Sequence, residues 1–194
     1  MANSTDINLK INSDTILFFD MDGTLVDTDF ANFLSYKEAI NSVLPIDKEI
    51  QYSPNERFNR STLKKLEPNL TEEEIEKIIQ QKETIYKDKL AQTKLNNSVT
   101  DILIRYYLTN KTVLVTNCRQ ERALLTLNHH NLSDKFSHLI FRQNSENGNR
   151  INKYEYAINH LSLTAQNVIV FENERTEIDD AVLAGILTHN IVSL

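Results

Sequence analysis

Short, mostly apolar runs recur along the chain, and three of them end directly at a polar residue. They occupy residues 15–19, 111–115 and 167–171, and the residues that follow them are Asp20, Thr116 and Glu172. Runs without regular polar alternation are typical of strands covered on both faces, as in parallel sheets, although their length alone does not exclude buried helix. Weaker runs of the same kind lie at 138–141 and 186–192.

Amphipathic helical patterns separate these runs. Residues 98–108 carry apolar side chains on one stripe, and further stripes lie within 123–127, 154–161 and 178–182. Asn152 is placed to cap the third of these helices, and Gly185 to end the last one. Strand alternating with helix from about residue 98 onward therefore predicts a doubly wound α/β domain.

The stretch 30–96 breaks this alternation because it contains no convincing strand. One amphipathic helix begins at Phe30, and Thr71 with Glu74 matches a capping box that opens a long second helix. We interpret residues 29–96 as a helical insert after the first strand. Residues 1–28 and 97–194 would then form the α/β core.

Composition narrows the classes of protein that remain. Of 194 residues, 40% are hydrophobic and 25% charged, which is typical of a globular chain, and 21 − 27 gives a net charge of −6. An acidic chain is a poor non-specific binder of nucleic acid, and no apolar run approaches the length of a membrane span. One cysteine argues against a disulfide framework. We expect a cytoplasmic protein, a monomer or weak dimer, with no nucleic-acid or membrane partner.

The candidate chemistry lies at the ends of the predicted strands. Ligands of open α/β sheets bind beyond the carboxyl ends of the strands, so Asp20, Thr116 and Glu172 could converge. Asp20 and Asp22 can face one cavity if the chain turns at Gly23. One carboxylate can then attack phosphorus while the other exchanges protons with the leaving group and with water. Carboxylates this close repel, so a cation is expected between them, and oxygen ligands suit Mg²⁺.

The segment Asp-Met-Asp-Gly-Thr-Leu-Val-Asp at 20–27 resembles the signature of the haloacid dehalogenase-like hydrolases. Most members of that family are Mg²⁺-dependent phosphatases that form an aspartyl-phosphate. The resemblance implies that Asp20 is the nucleophile and a metal ligand. It also implies that Asp22 is the general acid/base and binds the metal through its backbone carbonyl. The family's dehalogenases and phosphonate hydrolases lack this second acid, so its presence favours phosphate esters.

Two later segments resemble the family's phosphate-binding motifs. Thr116 and Asn117 match the motif in which a hydroxyl and the following amide hold the transferring phosphoryl group. The next motif supplies a cation. Lys153 at the start of a helix is the preferred candidate, and Arg150 competes because a gapless reading against the family's Lys-Pro-x-Pro form would select it.

The last matching segment is Val-Phe-Glu-Asn-Glu at 170–174, where the resemblance implies metal ligands at Glu172 and Asn173. The family usually has Asp at the position of Asn173. An asparagine offers the metal only a neutral oxygen, and it could equally be the N-cap of the following helix. Glu177 is a less favoured source of the metal's negative ligand.

The resemblance therefore implies a Rossmann-like, doubly wound parallel sheet with a small α-helical cap domain. It implies a Mg²⁺-dependent phosphatase acting on a small phosphorylated metabolite. Two alternatives stay open: a phosphosugar mutase of the same family, and a non-catalytic phosphate-binding protein. Lys82 and Tyr86 in the predicted cap could contribute substrate contacts.

Overall fold

The computed structural model describes residues 11–44, 50–54, 56–143 and 150–194. The chain divides into two compact units, a core unit up to Val26 and from Leu95 onward, and a helical unit Asp27–Lys94. The boundaries predicted from sequence lie slightly further along the chain, at 29 against 27 and at 96 against 94. Residues 1–10 of the predicted core domain lie outside the described residues.

The core unit is built on one parallel sheet. Its strands are β1 (Ile16–Phe19), β4 (Lys111–Val115), β5 (His138–Ile140), β6 (Val168–Glu172) and β7 (Ile191–Ser193). They lie in the order β5-β4-β1-β6-β7, and each neighbouring pair is parallel. Phe19 is in register with both Leu114 and Phe171, so the ends of the three central strands lie at one level. The predicted doubly wound parallel sheet is confirmed.

Helices cover both faces of this sheet. They are α4 (Asn97–Tyr106), α5 (Gln120–His129), α6 (Lys153–His160) and α7 (Arg175–Leu183). Leu17 and Phe19 of β1 belong to a core cluster that includes residues of α4 and α5. Phe18 points to the opposite face and belongs to a cluster with residues of α6 and α7. This two-sided burial explains why the strands lack polar alternation.

The helical unit has its own apolar core. It contains α1 (Asp29–Val43), α2 (Arg60–Leu66), α3 (Glu72–Tyr86) and a 3₁₀ helix at Lys87–Gln92. The buried side chains include Phe33 and Ile40 of α1 together with Ile75 and Ile78 of α3. The predicted capping box is confirmed, because the Thr71 hydroxyl accepts from the Glu74 N–H while the Glu74 carboxylate accepts from the Thr71 N–H.

The structure corrects the sequence prediction at two places. Residues 30–96 do contain a short strand, β3 (Lys94–Leu95), which pairs with β2 (Val26–Asp27) in a two-stranded sheet. The last strand is also shorter than the run 186–192, because a 3₁₀ turn at Thr188–Asn190 precedes β7. Two-residue strands carry too little periodicity to be recognised from sequence.

Every described helix is too short or too polar to span a lipid bilayer.

Candidate active site

The predicted site residues lie at the carboxyl edge of the central strands. Asp20 directly follows β1, Thr116 directly follows β4, and Glu172 ends β6. The Asp20 N–H donates to the Phe171 carbonyl at 3.1 Å, which continues the β1–β6 pairing and holds the Asp20 backbone beside Glu172. All three residues are buried, at 6%, 1% and 0% exposure respectively.

Lys153 connects two of these acids. Its ammonium donates to Asp20 Oδ1 at 2.7 Å and to Glu172 Oε2 at 2.9 Å, and it lies 3.5 Å from Glu177 Oε2. The side chain starts at the first residue of α6, whose N-cap is Asn152 as the sequence predicts. One buried lysine therefore faces three carboxylates, and 1 − 3 leaves this set with a formal charge of −2.

For both Asp20 and Lys153, burial shifts the pKa in one direction and the oppositely charged neighbour shifts it in the other. Burial raises the pKa of the Asp20 carboxyl to about 7, and the nearby Glu172 charge adds to that effect, whereas Lys153 opposes it. Burial lowers the pKa of Lys153, but Asp20, Glu172 and Glu177 outweigh it and raise that pKa above its ordinary value. The ammonium stays protonated, and the charge of Asp20 depends on cations beside it.

Tyr154 is a site residue that the sequence pattern does not reveal. Its hydroxyl donates to Glu172 Oε2 at 2.6 Å, its ring stacks on Phe18, and Lys153 Nζ lies 5.0 Å from its ring centroid. Burial, followed by the Glu172 charge, raises the pKa of Tyr154 well above its ordinary value. The residue fitted an apolar helical stripe, and nothing in that pattern reveals a hydroxyl aimed at an acid.

The remaining oxygen of Glu172 is also occupied. Glu172 Oε1 accepts from the backbone N–H groups of Asn173 at 2.8 Å and Glu174 at 2.9 Å. With Lys153 and Tyr154 on Oε2, each carboxylate oxygen accepts two hydrogen bonds. Glu172 as a metal ligand stays a prediction, and in the structure its carboxylate holds Lys153 in place.

Gly23 forms the tight turn that carries Asp22. Its φ of +86° lies in the left-handed region, and an added Cβ would come within 2.5 Å of Asn173 Nδ2. The Thr24 hydroxyl donates to Asn173 Oδ1 at 2.9 Å, which ties the first motif to the last. Asn173 is not the N-cap of α7, since that position belongs to Glu174.

Asp22 faces a different cation. Its Oδ2 lies 3.3 Å from an Arg122 terminal nitrogen, and the side chains of both residues are largely buried. Arg122 lies in the first turn of α5. The sequence does not single out Arg122, because a charged residue on an amphipathic helix is usually solvated.

The phosphate-binding candidates lie on the loop after β4 and at the start of α6. The Thr116 hydroxyl oxygen accepts from the Cys118 N–H at 3.1 Å, so its own O–H is oriented to donate elsewhere. The Asn117 side-chain amide donates to Glu177 Oε1 at 3.0 Å. Arg150 pairs with Glu177 at 2.6 Å and with Asp180 at 2.7 Å, whereas Lys153 is the cation that contacts Asp20.

Asp20, Asp22 and Asn173 carry oxygen donors of the kind that Mg²⁺ prefers. Lys153 donates to Oδ1 of Asp20, and Oδ2 of the same carboxylate would be the oxygen offered to a cation. The Asp22 backbone carbonyl and Asn173 Oδ1 would add two neutral oxygens. Among the described residues, no three His, Cys, Asp or Glu side chains come together as a metal cage. Mg²⁺ tolerates such a site, because it is commonly held by one or two carboxylates, water and substrate phosphate.

The sequence model of the haloacid dehalogenase-like hydrolases matches residues 17–191. The chain therefore belongs to that family, as its first motif suggested. No curated protein matches it by sequence.

Solved structures share the fold at low sequence identity. A predicted phosphoglycolate phosphatase from Haemophilus somnus 129pt superposes with a TM-score of 0.74 at 20% identity, covering 94% of this chain and 86% of that one. A protein from Thermotoga maritima described as a beta-phosphoglucomutase gives 0.65 at 21% identity, covering 92% and 84%. CbbY from Rhodobacter sphaeroides, in complex with phosphate, gives 0.67 at 14% identity, covering 88% and 83%.

Proposed function

We propose that this hydrolase is a Mg²⁺-dependent phosphatase that acts on a small phosphorylated metabolite through an aspartyl-phosphate. The observation that carries the proposal is the Asp20–Lys153 contact, a buried carboxylate at a strand end with a lysine 2.7 Å away. A second acid, Asp22, lies two residues further on. A buried nucleophile beside a fixed cation suits attack on an anionic phosphate, because the cation offsets charge repulsion.

The reaction would run in two steps. An Asp20 oxygen forms a bond to phosphorus while the ester P–O bond breaks, and the leaving oxygen keeps the electron pair and takes a proton from Asp22. Asp22, now a carboxylate, then takes a proton from water as the water oxygen bonds to phosphorus. The bond between phosphorus and Asp20 breaks, which releases phosphate and restores the Asp20 carboxylate.

Three groups would hold the transferring phosphoryl group. The Thr116 hydroxyl, the amide of Asn117 and the Lys153 ammonium are the donors. A magnesium ion held by Asp20, the Asp22 carbonyl and Asn173 would supply further positive charge to the phosphate. The helical unit Asp27–Lys94 is assigned the role of a cap that excludes water during the reaction.

A panel of phosphate esters assayed with and without Mg²⁺ tests this proposal. We expect Mg²⁺-dependent release of inorganic phosphate, and no turnover by Asp20→Asn, because an amide cannot form the aspartyl-phosphate. Asp101→Asn, an exposed acid on α4, is the matched control and should match the wild type. Turnover by Asp20→Asn would overturn the nucleophile assignment. Transfer to a second sugar hydroxyl without phosphate release would favour the mutase, and binding without turnover a non-catalytic protein.

A further inference from the structure

We propose that Arg122 is a positioning residue that fixes the carboxyl group of Asp22 for proton transfer, an inference that rests on the proposed phosphatase function. The two acids of the first motif, Asp20 and Asp22, lie beside different cations. Lys153 contacts Asp20 at 2.7 Å, and Arg122 lies 3.3 Å from Asp22 Oδ2.

The location of Arg122 is not explained by helix stability. It lies in the first turn of α5, where the helix dipole presents partial positive charge and disfavours a cation. Its side chain is only 12% exposed, so the guanidinium is also largely removed from water. A buried cation at this end of a helix costs free energy unless an acid compensates it. Asp22, with a side-chain exposure of 8%, is the acid placed to do so.

The pair also differs from an ordinary surface ion pair. Exposed pairs contribute little because both side chains move and water screens them. Here the guanidinium lies beside the carboxyl group of a residue whose backbone is already fixed by the Gly23 turn. The ion pair to Oδ2 restricts rotation of the carboxyl group, so the group keeps one orientation for proton exchange.

Because Arg122 acts through Asp22, its contribution to the rate should depend on the leaving group. In the first step the P–O bond breaks and its electron pair stays on the leaving oxygen, which takes the Asp22 proton. An alkoxide leaves poorly without that proton, whereas a strongly acidic phenol leaves well without it. The contribution of Arg122 should therefore grow as the leaving group becomes less acidic.

The test measures kcat/KM for alkyl phosphates and for aryl phosphates of increasingly acidic phenols. For Arg122→Gln we expect a loss of about tenfold or more on alkyl esters and less than about twofold on the most acidic aryl ester. Arg122→Lys should restore part of the alkyl activity. Asp22→Asn should show the same dependence on leaving group, and adding Arg122→Gln to it should cost little more, because both act on one proton transfer.

The alkyl-to-aryl ratio is measured within one preparation, so a reduced folded fraction of Arg122→Gln does not alter it. Arg175→Gln, an arginine of α7 whose side chain is 83% exposed, should keep the wild-type ratio. An equal loss on every ester, or no loss, would overturn the assignment of Arg122 while leaving the phosphatase intact. A wild-type protein that hydrolyses no ester would instead overturn the proposed function, and this inference with it.

Discussion

The molecule contains two clusters of charged side chains that look alike in distance and differ in burial. The site cluster in the core unit consists of Asp20, Lys153, Glu172 and Glu177, with its closest pairs at 2.7 and 2.9 Å. The surface cluster in the helical unit consists of Arg60, Lys64, Glu72 and Glu76, with Arg60 reaching the two glutamates at 2.6 and 2.7 Å. Lys153 is 4% exposed, whereas Arg60 is 44% exposed.

This difference in burial shows that ion pairs of similar length can have different roles. The surface cluster is balanced, with two cations and two acids, and water screens it. The site cluster has one buried lysine for three buried acids, of which only Glu177 is described as also pairing with the more exposed Arg150, and burial makes this arrangement costly. A fold selected for stability alone would gain by replacing such a cluster with apolar side chains. Its presence at a strand-end edge is expected if this edge binds an anion and a cation, as proposed above.

The largest expected effect comes from removing the single cation of the site cluster with Lys153→Met. Three buried acids would lose their shared partner, so the free energy of unfolding should fall by about 3–5 kcal/mol. Turnover of a phosphate ester should fall about 100-fold or more, because the transferring group loses a charged donor. Urea unfolding and steady-state kinetics measure the two effects.

The matched control is Lys77→Met, which removes an exposed lysine from α3. It should leave both quantities close to the wild-type values. If Lys153→Met were as stable and as active as this control, the site cluster would be no more than a buried version of the surface cluster.

A smaller effect is expected from Tyr154→Phe. The ring and its stacking on Phe18 are kept, but the hydrogen bond to Glu172 is lost. Hydrogen bonds to charged groups contribute about 1.5–3 kcal/mol, so the free energy of unfolding should fall by about that amount. Tyr156→Phe is the control, since Tyr156 stacks on His160 and contributes no described hydrogen bond to the site. Equal stability of the two variants would show that the hydroxyl does not support Glu172.

The features that could be predicted from the sequence are those set by local patterns. The strands β1, β4 and β6 were predictable because burial on both faces demands apolar runs, and Asp20, Thr116 and Glu172 were visible as the polar residues that end or follow them. One local signal was also correct. Asn152 caps α6 through its own side chain.

Contacts between distant segments could not be predicted. Asn173 offered a plausible helix cap, yet its side chain meets Thr24, 149 residues away along the chain. Tyr154 and Arg122 look like ordinary helix residues, one apolar and one charged. Their partners, Glu172 and Asp22, lie on other elements, and only the folded chain brings them together.

The smallest expected effect concerns the surface cluster. Hydrogen bonds from Lys64 and then Arg60 lower the pKa of Glu72 in the folded chain. A carboxyl whose folded pKa is depressed contributes stability above its unfolded pKa and loses it as pH falls through the folded pKa.

Lys64→Gln should therefore lower the urea midpoint only slightly at neutral pH, and the difference from wild type should vanish in acid and shrink in about 1 M salt, where exposed charges are screened. Lys65→Gln, an exposed neighbour on α2, is the control and should show no such dependence on pH. A large loss that persists in acid and in salt would mean that packing of the lysine stem stabilises this surface. The interactions that stabilise the two clusters would then be more alike than the difference in burial indicates.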